Sequence, residues 1–136
     1  MSDIGEDNLE EVNRLVVGGN YGWSKREGNR AIDVATDPSI VFAQPGNDAT
    51  FGYRYPVAQY DHEEGDTVAG GFVYRKPSAA PASLLDDQFV FGDIVNGRVF
   101  YADDAELVSG NDGDPATPAQ VYELGRVDDL VRGRRW

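Results

Sequence analysis

The segment Gln88 to Ala102, QFVFGDIVNGRVFYA, places a turn signal between two apolar runs. Asn-Gly is the strongest two-residue hairpin signal, because a type I′ turn needs φ > 0 at both central positions. With Asn96-Gly97 as that turn, Val95 faces Arg98, Ile94 faces Val99 and Asp93 faces Phe100. One face then carries Phe89, Phe91, Val95 and Phe100, and the other carries Val90, Ile94, Val99 and Tyr101. Antiparallel sheets commonly keep one face wet. Two apolar faces demand cover on both sides. Stacked sheets supply that cover, as in a β-propeller, where each four-stranded blade lies between two neighbours. A sheet between helices would also serve, but the chain offers few convincing helices.

Composition agrees with an all-β chain. Among 136 residues there are 16 Gly and 7 Pro, which favour turns over long helices, and the Tyr and Phe residues sit in short apolar runs. The length predicts a single domain over residues 1–136. Net charge is −12, so neither nucleic acid nor an anionic membrane is expected as a partner, since phosphate binding needs a basic face. The chain has no Cys, which excludes disulfides and thiolate metal sites. Residues after Met1 show no basic or apolar leader, so no signal peptide is read, and no run approaches the ~18 apolar residues of a membrane span. Residues 126–136 read as a basic, truncated tail, and exposed strand edges would favour association.

Four strands are expected in the second half. They are Thr67–Arg75, then Gln88–Ile94 and Arg98–Ala102 around the Asn-Gly turn, then Gln120–Gly125. Together they form one antiparallel meander. Earlier in the chain, Leu9 to Val17 fits a helical face or a strand ending at Gly18-Gly19. Trp23–Pro38 reads as loop, Ser39–Gln44 as a short strand, and Gly46–Asp66 as a long irregular stretch in which Pro56 argues against a central strand. Asp103 to Ala119 reads as an acidic loop. A propeller needs about 40–45 residues per blade and at least four blades. The expected fold is therefore a partial propeller of about two to three blades, part of a larger ring.

Three blocks, DNLEEVNRLVVGGNYGWSKREG, YDHEEGDTVAGGFVYR and DQFVFGDIVNGRVFYA, in that order, resemble the soluble glucose/sorbosone (aldose sugar) dehydrogenases. The resemblance implies the C-terminal portion of a six-bladed propeller domain from a periplasmic or secreted oxidoreductase. Such an enzyme uses pyrroloquinoline quinone (PQQ) and calcium, with a sugar substrate and a separate electron acceptor. It also implies that the catalytic His lies upstream of this segment, so the chain alone is expected to lack dehydrogenase activity and no catalytic residue is assigned. By alignment on Glu11-Val12-Asn13, the family's calcium-binding carbonyls fall on Gly5 and Glu6, where the second position departs from the family's Pro. The sugar-contacting acid falls on Glu10 and a cofactor-lining Tyr on Tyr60, while Val95 stands near the family's cofactor Lys. The alternative is a non-catalytic propeller module that binds a protein or a carbohydrate.

The remaining candidates read as structural or open. His62, the only His, is expected at a rim or in a structural role. Adjacent Glu10 and Glu11 point to opposite faces of a strand, and Glu11 is expected in a salt bridge or in solvent. Asp93 and Arg98 are expected as an ion pair across the hairpin. Asn20, Tyr21 and Trp23 form an aromatic turn suited equally to packing or to stacking on a ligand. Asn111–Pro115 is oxygen-rich but lacks the full calcium-loop spacing, and reads as a solvated turn.

Overall fold

The computed structural model describes residues 1–109 and 118–128. The described residues are all-β apart from one short helix, a 3-10 turn and helical residues at 127–128, and their strands form three small antiparallel sheets. Among the described residues no sheet closes into a barrel or a ring. The first sheet runs β1 (Ser2–Asp3), β2 (Leu9–Val12), β6 (Ala58–Asp61). The second runs β3 (Arg26–Glu27), β4 (Arg30–Asp33), β5 (Asp37–Phe42). The third is the expected meander, with spatial order β7 (Val68–Val73), β8 (Gln88–Asp93), β9 (Arg98–Asp103), β10 (Tyr122–Arg126). Helix α1 (Asp104–Ser109) follows β9 directly, where an acidic loop was expected. Asp103 starts it by accepting the N–H groups of Ala105 and Glu106, which satisfies two of the free donors of a helix N-terminus.

The first sheet lies between the other two, and alternation along β2 shows it. Glu10 and Val12 turn toward the meander, while Glu11 and Asn13 turn toward β3 and the Gly28 turn. All four residues of β2 are buried, because both of its faces are covered. Between the first sheet and the meander sits the main apolar core. Val12, Ala58 and Tyr60 meet Val68, Phe91, Phe100 and Ala102, and Leu107 of α1 closes one side. The Tyr60 and Phe100 rings lie 4.9 Å apart and Phe91 and Phe100 5.7 Å apart, within the range of favourable aromatic pairs. Burial of each such Phe contributes roughly 2–3 kcal/mol.

The hairpin register differs from the sequence expectation. Phe91 pairs with Phe100 and Gly92 with Val99, two residues away from the register of a two-residue Asn-Gly turn. The loop is longer, Ile94 to Gly97, because the Asp93 carboxylate accepts the N–H groups of Val95 and Asn96 and holds the chain in a wider turn. Gly97 alone takes the left-handed conformation, φ 67°. A slip of two preserves the faces of the strands, so Phe89, Phe91 and Phe100 still share one side. It places Ile94 and Val95 in the loop, exposed.

The irregular stretch before the meander also holds more order than expected. Strand β6 follows Pro56 and pairs along all of β2, from Leu9–Asp61 to Val12–Ala58. Pro56 precedes the strand, so it costs no ladder hydrogen bond. Strands β3 and β4 form a tight hairpin inside the expected loop Trp23–Pro38. Pro38 lies within β5, an edge strand, where a missing N–H is tolerated.

Candidate binding surface

The meander has one dry face and one open face. Phe91 is 3% exposed on the inner side, while Phe72 on the outer side is 63% exposed. Strand pairing places Ala69 beside Gly92, Phe72 beside Val90, Gly92 beside Val99 and Tyr122 beside Tyr101, all on the outer face. The Tyr101 and Tyr122 rings stack 5.3 Å apart. This central band carries no ionisable group other than the two phenols. Its middle is a shallow depression of about 250 Å³ lined by Ala69, Gly71, Phe72, Val90, Phe91, Gly92 and Val99. Gly92 forms part of its floor, and a Cβ there would meet only ordinary contacts at 3.7 and 3.9 Å. Cover on both faces was the sequence expectation for this hairpin. Within the described residues it holds for β2, not for the meander.

One end of the meander carries a cluster of charged residues divided between its two sides, with Asp104 on the side of Phe89 and Leu107. Gln88 and Asp103 pair across β8 and β9 there. Residues 75–76, 86–88 and 103–106 hold five acids and two bases, a net charge of −3 by subtraction. Arg75 bridges Asp87 (2.6 Å) and Asp104 (2.5 Å), and Lys76 lies 3.5 Å from Asp86. The Asp103 carboxyl is held below its usual range, chiefly by the Glu106 N–H. The Asp86 carboxyl is lowered mainly by the Ser83 N–H.

A set of buried carboxylates ties the sheets together from inside. Asp93 accepts five donors: Asp66 N–H (2.6 Å), Thr67 N–H (2.8 Å) and the Tyr60 hydroxyl (3.2 Å) on Oδ2, and Val95 and Asn96 N–H on Oδ1. Burial acts on it upward, but these bonds prevail and its pKa is lowered. Arg98 does not pair with it. The guanidinium donates instead to the Glu64 carbonyl and lies 3.6 Å from Glu123, so the expected hairpin ion pair is replaced by backbone capping. Glu27 accepts the N–H groups of Asp7, Asn8 and Leu9 and the Asn8 amide, fixing the approach to β2. Glu11 is buried against Gly28 N–H (2.5 Å) and Asn13 Nδ2 (2.8 Å), not solvated. Desolvation pushes its pKa up to about 7. Arg26 and Asp48 form a bidentate buried pair, which Tyr55 joins at 3.0 Å, with Arg26 5.0 Å above the Tyr53 ring.

The residues singled out by resemblance fall as follows. Glu10 is fully buried. It accepts Val68 N–H at 2.8 Å and lies 3.1 Å from His62 Nε2. Burial, the largest influence, raises its pKa. Tyr60 is buried in the core with its hydroxyl on Asp93, and burial likewise raises its pKa. Gly5 and Glu6 border a cleft of about 180 Å³ with Asp3, Glu11 and Glu27. Glu10 and Tyr60 thus stand side by side as register partners across β2 and β6, while Gly5 and Glu6 lie at a separate cleft. Among the described residues no three His, Cys, Asp or Glu side chains are disposed to hold a metal ion. His62 is half-buried on Glu10, a structural placement. The Tyr21 hydroxyl binds the Arg14 carbonyl and the Val16 N–H, whereas Trp23 is exposed. Asn111–Pro115 and residues 129–136 of the basic tail lie outside the described residues.

Fold and surface together define an all-β chain of stacked antiparallel sheets with an open apolar face. Comparison with known proteins adds two relatives from Arabidopsis thaliana. The chain is 27% identical to HIPL2 protein over 125 residues, 86% of this chain and 16% of that protein. It is 27% identical to HIPL1 protein over 118 residues, 81% of this chain and 16% of that protein. It thus spans about a sixth of the length of these relatives. No family model and no solved structure matches. These relatives overturn the resemblance to the PQQ-dependent sugar dehydrogenases, and with it the oxidoreductase reading. The quoted blocks are strands and glycine turns that serve sheet stacking: they hold β2, β7, β8 and β9. Glu10 within them is engaged in joining two sheets.

Proposed function

We propose that this chain is a non-catalytic binding module that receives a polypeptide partner on the outer face of its meander. Its three sheets are stacked as successive propeller-type blades, with the β1–β2–β6 sheet in the middle. The observation that carries this reading is the contrast within one sheet: Phe91 and Phe100 are buried, while on the other side Phe72 and Tyr122 are exposed and Val90 and Val99 half-buried between them. Contiguous exposed apolar surface of this kind marks interaction sites. A polypeptide suits the face better than a sugar, because the two tyrosines stack on each other and do not lie as a flat platform. Much longer relatives are compatible with a module that works beside further chain.

Selection of displayed peptides against the immobilised chain, run beside a glycan array, tests the reading. Enriched peptides are expected, and Phe72→Glu, at an exposed position, should release them while the circular dichroism spectrum stays unchanged. Glycan binding without peptide enrichment, or peptides indifferent to Phe72→Glu, would overturn it.

A further inference from the structure

The two seams of the central sheet are built differently. Toward the meander the seam is filled by the apolar core, with Val12, Tyr60, Phe91 and Phe100. Toward the β3–β5 sheet it is closed mainly by polar groups. Glu27 accepts the N–H groups of Asn8 and Leu9, Gln59 exchanges two hydrogen bonds with Asn29 (2.9 and 3.0 Å), and Glu11 accepts the Gly28 N–H. The Gly28 turn seats so tightly that a Cβ there would lie 2.7 Å from Leu9 and 2.8 Å from Gln59. Glu11 is buried in this seam, and its register partner on β1 is another acid, Asp3. Like charges directly opposite in a sheet are destabilising. Glu6 and Glu27 line the same cleft. Arg26 borders it too, but its guanidinium is held by Asp48, and the Tyr21 hydroxyl there is bonded to Arg14 and Val16. An ionised Glu11 therefore stands among acids, with one backbone N–H and the Asn13 amide to meet it.

We infer that the β3–β5 sheet is a pH-gated flap: a proton on Glu11 keeps it docked on the central sheet, and ionisation of Glu11 opposite Asp3 and beside Glu27 loosens that seam while the meander stays packed. Burial first, with repulsion from Asp3 and Glu27 adding to it, raises the Glu11 pKa to about 7. Because the folded value is the raised one, the docking contribution is whole below the ordinary carboxylate value near ~4.3 and is lost as pH rises through about 7. Sub-global opening takes place in elements with few buried apolar contacts, as at this polar seam. The flap lies across the central sheet from the outer face of the meander, so its opening leaves that face in place.

Native-state amide exchange, read by NMR from about pH 5 to about pH 8 in low urea and corrected for intrinsic rates, tests the flap. The seam reporters are the amides of Leu9, Gly28 and Asn29, bonded to Glu27, Glu11 and Gln59. The meander reporters are the amides of Tyr74 and Ile94, bonded to the Gln88 and Thr67 carbonyls. At about pH 8 the seam amides should be at least tenfold less protected than the meander amides. Their exchange should also depend less steeply on urea, the mark of a local opening. Seam protection should fall at least tenfold between about pH 5 and about pH 7 and level off above, where the Glu11 carboxyl carbon titrates. In Glu11→Gln it should stay level across pH. Asp3→Asn, at an exposed position, should shrink the fall and end it at lower pH. One protection factor and one urea slope for seam and meander alike would overturn the flap. So would seam protection that ignores pH, or that falls equally in Glu11→Gln or undiminished in Asp3→Asn.

Discussion

Replacing Asp93 by Asn tests whether buried carboxylates hold the meander to the central sheet. The native carboxylate satisfies five donors, three on Oδ2 and two on Oδ1. Asn supplies one acceptor oxygen. That oxygen will serve Asp66, Thr67 and Tyr60, the more buried set, and the amide NH2 will then face the N–H groups of Val95 and Asn96. Two charge-assisted bonds are lost, and three become neutral. Neutral bonds contribute about half as much as charged ones, and an unmet partly buried donor costs about 1–3 kcal/mol. The expected destabilisation is about 2–4 kcal/mol, a Tm drop of roughly 8–15 °C for a domain of this size. Urea denaturation at pH 7 and calorimetry measure it. The folded pKa of Asp93 is lowered. Its stabilisation is therefore complete above the unfolded value near ~3.9 and is lost as pH falls through the folded value. The difference between wild type and Asp93→Asn must shrink in acid. A loss below about 0.5 kcal/mol at pH 7, or a difference that grows in acid, would refute the reasoning.

Two of the remaining outcomes turn on buried acids and the third on the glycines of the meander. Glu11, whose pKa is raised to about 7, should weaken the fold as pH climbs from about 5 to 8, by on the order of 2 kcal/mol. In Glu11→Gln that slope should vanish, with Asn13 flipping so that its unpartnered Oδ1 accepts the new amide; parallel urea midpoints across pH for both proteins would contradict this. Asp48→Ala should cost about 3–5 kcal/mol by stranding the buried Arg26 guanidinium, and Arg26→Met with Asp48→Leu should recover most of it, read from denaturation midpoints. Gly71→Ala should destabilise strongly, because φ is 145° and a Cβ would sit 2.3 Å from the Phe89 ring, whereas Gly92→Ala should leave Tm nearly unchanged.

The meander was legible in the sequence because its strands alternate, contain β-branched and aromatic residues, and surround an Asn-Gly pair. Its register was not, since it turns on the Asp93 carboxylate capping the loop, and nothing local distinguishes that aspartate from a partner for Arg98. Strands β3, β4 and β6 were hidden because they are short and polar. Arg26 and Glu27 are buried only through Asp48 and the Asp7–Leu9 amides, partners remote in sequence. Glu11 looked like a surface acid for the same reason: its donor, Gly28, becomes a neighbour only when the sheets stack. Apolar alternation in the hairpin did reveal two greasy faces. It could not say which face the chain itself would cover. The binding surface was thus half visible, as Val90, Val99 and Tyr101 on one side, while the Gly92 depression needed the pairing with Ala69 and Phe72 to appear.

The central claim is that one face of the meander is sealed and the other is free to bind. Solvent paramagnetic relaxation, measured on side-chain protons of the free chain with a soluble gadolinium chelate, tests it most directly. Phe72 and Tyr122 should relax strongly, the half-buried Val90 and Val99 to a lesser degree, and Val68, Phe91 and Phe100 hardly at all. Comparable relaxation on both sides, or shielding of Phe72 and Tyr122 in the free monomer, would contradict the account.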